Sequence, residues 1–243
     1  MAPTVAVALA LIAWHWYSTT SGTVVLPGPL RVITTGWAVR NELWINALPT
    51  LRAALLGFAL AVVIGFLLSV VIDFFEPVRN ALMPLLIVSQ TLPIIVVAPL
   101  MVLWFGFGLL PKVLLVALVT FFPITVALVR GYSAAGPESH EVMVSLGATR
   151  WQEFVGLRIH CAIPSFFTGT RIAITYAIIA AIFAEYAGAV DGLGIYMQVA
   201  KNSFRTDVVI AATVVTALLT LGLYALTFVI EGALLRYRRR SVA

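Results

Sequence analysis

The chain has 243 residues, of which 62% are hydrophobic and only 10% charged, and its mean hydropathy is +1.06. Soluble domains carry about 25% charged and about 45–50% apolar residues, and a globule of this length has too little interior to hide the excess. The composition excludes an ordinary soluble enzyme and a disordered chain, and fits an all-α polytopic membrane protein.

Other counts narrow the chemistry. The net charge of +5 comes from 15 Lys and Arg against 10 Asp and Glu. In a chain this apolar it reads as basic loops on the inner side of a bilayer, not as nucleic-acid binding. One cysteine, Cys161, excludes a disulfide framework. His15, His140 and His160 are too scattered for a histidine metal motif, so no metal site is expected. Neither lysine, Lys112 or Lys201, stands in the Gly-Lys-Ser/Thr context of a phosphate-binding loop, so no catalytic ATP site is expected in this chain.

A spanning helix needs roughly 20 apolar residues. In chain order the candidates are residues 3–17, 47–72, 78–105, 109–129, 163–187 and 208–235, giving about six transmembrane helices. The first is short and lacks the basic flank of a secretory leader, so it reads as a retained span. It is grouped with the segment that follows as residues 1–46. There Leu26-Pro27-Gly28-Pro29 makes a stiff turn, and Arg31, Trp37, Arg40 and Trp44 mark an amphipathic interfacial helix. Residues 47–235 form the core, and residues 236–243 a basic tail.

Within the core, Ser89-Gln90-Thr91, with Pro93 and Pro99, interrupts the third span. Gln90 and Thr91 therefore either line a pathway or bond between helices. Trp104, Phe105, Phe107, Tyr176, Phe183 and Tyr186 either stack on a flat substrate or form an interfacial belt. Arg171 is expected to snorkel to the inner interface, the alternative being an acidic or phosphate partner. Glu185 is either a gate residue or a helix-end acid at the outer interface.

Residues 132–162 are the most polar part of the chain. Gly136-Pro137 should end one helix and start another, with Glu138 and Glu141 near its positive end. Val142, Met143 and Leu146 form an apolar stripe, and Gly147 sits where a helix C-terminus favours a left-handed residue. Thr149 and Gln152 make a capping box for a second helix through Trp151, Phe154 and Leu157. Such a hairpin either enters a groove on a partner or merely joins two spans. Arg79, Arg130, Arg150, Arg158, Arg236, Arg238, Arg239 and Arg240 lie on the side of the tail. Arg31, Arg40, Lys112, Lys201 and Arg205 lie opposite. The positive-inside rule places the tail and this loop in the cytoplasm.

Residues 141–152, Glu-Val-Met-Val-Ser-Leu-Gly-Ala-Thr-Arg-Trp-Gln, resemble the EAA loop of bacterial ABC importer permeases. Glu141 and Gly147 match. Val142 and Met143 replace the two alanines, Ile159-His160 replaces the Leu-Pro step, and the later Pro164 is present. Ala184-Glu185-Tyr186-Ala187-Gly188, Asp191-Gly192-Leu193-Gly194 and Leu26-Pro27-Gly28-Pro29 are similar to the subfamily that imports nitrate, sulfonates and taurine. The resemblance runs from about Leu26 to Tyr196.

It implies a type I importer permease fold in the bacterial inner membrane, working as a homodimer with two ATPase subunits and an extracytoplasmic substrate-binding protein. ATP and magnesium would be held by the ATPase. Glu138, Glu141, Val142, Met143, Leu146 and Gly147 would couple to it, and Gln90, Thr91, Tyr176 and Glu185 are pathway candidates. A small anion or small organic molecule, heteroaromatic precursors included, is the expected substrate. No catalytic residue is expected. The readings from other classes are a stand-alone secondary transporter, for which no inverted repeat is seen, and a membrane-embedded enzyme, for which no nucleophile or metal motif is seen.

Overall fold

A computed structural model describes the backbone of residues 2–20 and 26–240, and the side chains of residues 5, 6, 8–20 and 26–234. The side chains of Arg236, Arg238, Arg239 and Arg240 lie outside that description. All regular secondary structure among the described residues is helical. In chain order the helices are α1 (Ala2–Thr20), α2 (Pro29–Ala38), α3 (Arg40–Phe74), α4 (Glu76–Ser89), α5 (Ile94–Phe105), α6 (Leu109–Ser133), α7 (Pro137–Ser145), α8 (Arg150–Glu153), α9 (Ile159–Tyr186), α10 (Leu193–Asn202) and α11 (Thr206–Arg240). A π-helical turn, Phe154–Arg158, joins α8 to α9.

Four described segments are long and apolar enough to cross a membrane: α3, α6, the continuous run Arg150–Tyr186, and α11. A fifth arises if α4 and α5 count as one. The expected single span over residues 78–105 is in fact two helices bent by 99°. Pro93 lacks an amide hydrogen and disfavours the helical conformation at Leu92, so the ladder breaks there. The first expected span is helical as α1, but it is not among these segments. Residues 3, 4 and 7 of that span lie outside the described side chains. The interfacial segment also differs from expectation. Only α2 is the short amphipathic helix, while Arg40 and Trp44 open the long α3.

Helices α3, α6 and α9 form the centre. Apolar helices gain no solvent-driven attraction in lipid, so they associate through close packing of small residues. Gly57 of α3 meets Val116 of α6 so closely that no Cβ fits, and a Cβ at Gly169 of α9 would lie 2.5 Å from that of Ala127. Around these contacts Ala61, Ala117, Ile124, Leu128, Tyr132, Phe154, Ala162 and Ala173 form a continuous buried core. Helix α11 runs antiparallel to α9, and α10 packs between them at one end.

That end also gathers the starts of α3, α6 and α11. The opposite end carries α7, α8 and the π turn. Between Arg52 and Asp73 of α3 no residue is charged, a rise of about 30 Å that matches a hydrocarbon core. At the first end the loop between α10 and α11 holds Phe204 at φ 55°, the one non-glycine residue with positive φ among those described.

Candidate functional site

The loop after α6 is built by local capping. Gly136 adopts φ +72° and Pro137 takes the first helical position of α7. At the far end Gly147 has φ +71°. Its N–H donates to the Val144 carbonyl (2.9 Å), and the Ala148 N–H to that of Met143 (3.0 Å). This is the paired bonding of a left-handed helix terminus, and only glycine adopts it without strain. Thr149 Oγ1 then accepts from the Gln152 N–H (3.3 Å), while Gln152 Oε1 accepts from the Thr149 N–H (2.8 Å). The box starts α8, which continues through the π turn into α9 as one rod.

Helix α7 has no buried residue. Glu138 and Glu141 are exposed, and so are the apolar Val142 (58%), Val144 and Leu146 (77%). Met143 is the member of the expected stripe that turns partly inward, toward Gly156. Leu146 and Gly147 belong to the terminating turn rather than to the helix.

Behind α7 lies a cluster that sequence reading did not assemble. Phe74, Trp151, Phe154 and Tyr132 pack ring to ring at 5.1–6.0 Å between centroids. Tyr132 OH bonds Ser69 Oγ at 3.0 Å. Beside them Glu153 Oε1 meets both His140 Nδ1 and Arg158 Nε at 2.9 Å, and Arg158 Nη1 reaches both oxygens of Asp73 at 3.2 Å. Asp73 was discernible only as the acid that closes the uncharged run of α3.

A cavity of about 820 Å³ opens on the face of α6 and α9 flanked by α4 and α5. Ser89, Gln90, Phe122, Thr168 and Tyr176 contribute to its wall, and Arg130 is the one charged residue on it. Two of the four pathway candidates, Gln90 and Tyr176, therefore meet in one space. Thr91 does not line it; its hydroxyl returns to the Val88 carbonyl at 2.8 Å.

Glu185 does not line this cavity either, and it is not at an exposed interface. It is fully buried. Its carboxylate accepts from Thr50 Oγ1 (2.8 and 3.1 Å) and from the Gly194 N–H (2.7 Å) at the start of α10. Thr50 Oγ1 in turn accepts from the Leu193 N–H at 2.8 Å. Gly192 lies so close that a Cβ there would overlap the carboxylate. Lys112, counted among the basic residues on the side opposite the tail, is also buried. Its Nζ stands 3.9 Å from Glu185 and donates to Asp191 Oδ1 (2.9 Å) and to the Asp191 carbonyl (3.0 Å). Nearby, Tyr196 of α10 donates to Glu42 at 2.7 Å. Burial first, and then that carboxylate, push its hydroxyl pKa up to about 12.

Arg171 does not snorkel. It forms an ion pair with Glu231 of α11, and its guanidinium lies 3.8 Å from the Phe228 ring centre. A partner acid on a neighbouring helix is the cheaper solution at this depth, because both charges then stay within protein.

The comparisons with known proteins agree with this architecture. Residues 57–239 match the family described as "Binding-protein-dependent transport system inner membrane component". The chain belongs to that family. It is 38% identical to the riboflavin transport system permease protein RibX of Chloroflexus aurantiacus, over 94% of this chain and 87% of the relative. It is 34% identical to the formylaminopyrimidine transport permease protein ThiX of Halalkalibacterium halodurans, over 98% and 96%. The taurine transport system permease protein TauC of Escherichia coli is 32% identical over 76% and 68%.

Among solved structures, a methionine ABC transporter, MetNI, in inward-facing form superposes with TM-score 0.68 at 16% identity, over 81% of this chain and 96% of that one. The crystal structure of an amino acid ABC transporter gives TM-score 0.68 at 16% identity, over 82% and 97%. Both support the fold alone. The chain is thus a multi-pass permease component of an ABC importer in the bacterial inner membrane, a transport subunit rather than an enzyme. The stand-alone carrier and the membrane enzyme are set aside.

Proposed function

We propose that two copies of this chain form the translocation pathway, their cavities facing each other, and that each presents α7 to a groove on a separate ATPase subunit. The observation that carries this reading is α7 itself. It is a short helix with two exposed acids and exposed Val142, Val144 and Leu146, held off the bundle between capped turns. Val142 and Leu146, four residues apart at the end of α7 with acids nearby, give a receiving groove its apolar anchors. ATP and magnesium belong to that partner, and a binding protein outside delivers the substrate. ATP drives the cycle only if the ATPase pair grips the two α7 helices differently in its open and closed states.

The substrate we propose is a small heteroaromatic compound. The two relatives named for riboflavin and formylaminopyrimidine resemble the chain over most of its length. The cavity wall offers Tyr176 and Phe122 for stacking and the Gln90 amide for ring nitrogens and carbonyls, while the Ser89 and Thr168 hydroxyls, which donate to the Leu86 and Pro164 carbonyls, can accept from ring N–H groups. The test is uptake into vesicles carrying the permease with its ATPase and binding protein. Gly147→Val forces a β-branched residue to φ +71°, and Glu141→Lys reverses a contact charge. Each should lower uptake on the order of 10-fold or more, the scale of a lost coupling interaction, with the permease still in the membrane. Unchanged uptake in both variants overturns the docking role.

A further inference from the structure

We propose that Asp73, Arg158 and Glu153 are positioning residues that carry movement of α7 into the bundle through a charged tether ending at His140. The inference rests on the docking role proposed for α7 and adds how its displacement reaches the spans. The chain on either side of α7 is poorly suited to pass on a push. It leaves α7 through Gly136 and Gly147, both at positive φ with open space where a Cβ would stand. The aromatic cluster of Phe74, Trp151, Phe154 and Tyr132 fastens α8 and the π turn to the core, but no ring of it belongs to α7.

Side chains bridge that gap. His140, halfway along α7 and half-exposed, bonds Glu153 at the end of α8. The same Glu153 oxygen bonds Arg158 at the end of the π turn, and Arg158 grips both oxygens of Asp73 at the inner end of α3. Glu153 is only 5% exposed, so water competes little for these bonds and the geometry is held. The path also crosses the π turn, where the wider backbone ring interrupts the regular ladder. The tether thus links α7 to the start of the rod formed by α8, the π turn and α9, and ends on a third element, α3.

The experiment uses the full complex in vesicles and reads substrate taken up per ATP hydrolysed, together with thermal stability. Glu153→Gln and Asp73→Asn keep shape and remove charge, and His140→Ala removes only the half-exposed end of the path. Each should lower uptake per ATP on the order of 10-fold, with the ATPase still bound and melting unchanged. Arg158→Ala should do the same, whereas Arg158→Lys, which keeps a cation between Glu153 and Asp73, should retain most of the ratio. An unchanged ratio in His140→Ala and Glu153→Gln overturns the proposal. So does a loss that only parallels reduced melting and is as large in Arg158→Lys as in Arg158→Ala. If Gly147→Val and Glu141→Lys uncouple while the tether variants do not, the tether fails and the docking role stands. If none of them uncouples, the docking role itself fails.

Discussion

Glu185 illustrates how one side chain can be misjudged from its neighbours in sequence. An acid late in an apolar helix, just before Gly188, suggests solvent or a pathway. Its carboxylate instead satisfies the first turn of α10, where backbone N–H groups have no helical partner. The partners, Thr50 and Lys112, lie far away in sequence, so no local pattern reveals them. Glu185→Ala would leave the Gly194 N–H without its acceptor, an orphaned group costing about 1–3 kcal/mol, and would remove the buried carboxylate that stands 3.9 Å from Lys112 Nζ. We expect lower thermal stability in detergent, and protease sensitivity appearing first around α10. Gly192→Ala should produce the same pattern, because its methyl group would occupy the space of the carboxylate. Equal stability of both variants and the parent would refute the latch. Gly147 is the contrasting case: its role was readable because a left-handed helix end is decided by the residue and its immediate neighbours.

Between helices, the seams are made by small side chains, and here sequence was a partial guide. Glycines such as Gly57 and Gly65 suit close packing between membrane helices, but nothing in the pattern names the helices that meet them. The structure answers with Val116 and Ile124, both on α6. Overpacking of a tight contact costs about 1–3 kcal/mol or more. Gly57→Val should therefore reduce the melting temperature and the yield of inserted protein. Gly222→Val, where nothing lies within 4 Å, should not. Equal behaviour of the two would argue that the α3–α6 seam is looser than described. The break between α4 and α5 and the π turn before α9 were harder to foresee. Prolines announced the first, but its 99° angle depends on where α5 finds Leu115 and Ala184. The π turn carries no residue signal of its own.

At the scale of the molecule, composition alone disclosed a helical membrane protein, and capping residues disclosed the shape of the protruding loop. The cavity was less accessible, because its wall is drawn from α6, α9 and the α4–α5 break, which come together only on folding. Gln90 and Tyr176 were found as polar or aromatic interruptions of apolar runs. Arg130 was seen only as an orienting charge. If the cavity is the route, Ile172→Trp should obstruct it and reduce uptake by about 10-fold or more, since a misfit of one large side chain outweighs ordinary binding contacts. Full transport through the Trp variant would move the route elsewhere.

The exposed tip at Phe204 and the lone sulfur of Cys161 have a practical consequence. Once Cys161→Ser has cleared the chain of native thiols, single cysteines at Phe204, 88% exposed, and at Val142 would place spectroscopic reporters at the two poles of the molecule. Distances between such reporters could be followed through a turnover cycle without touching any buried contact described above.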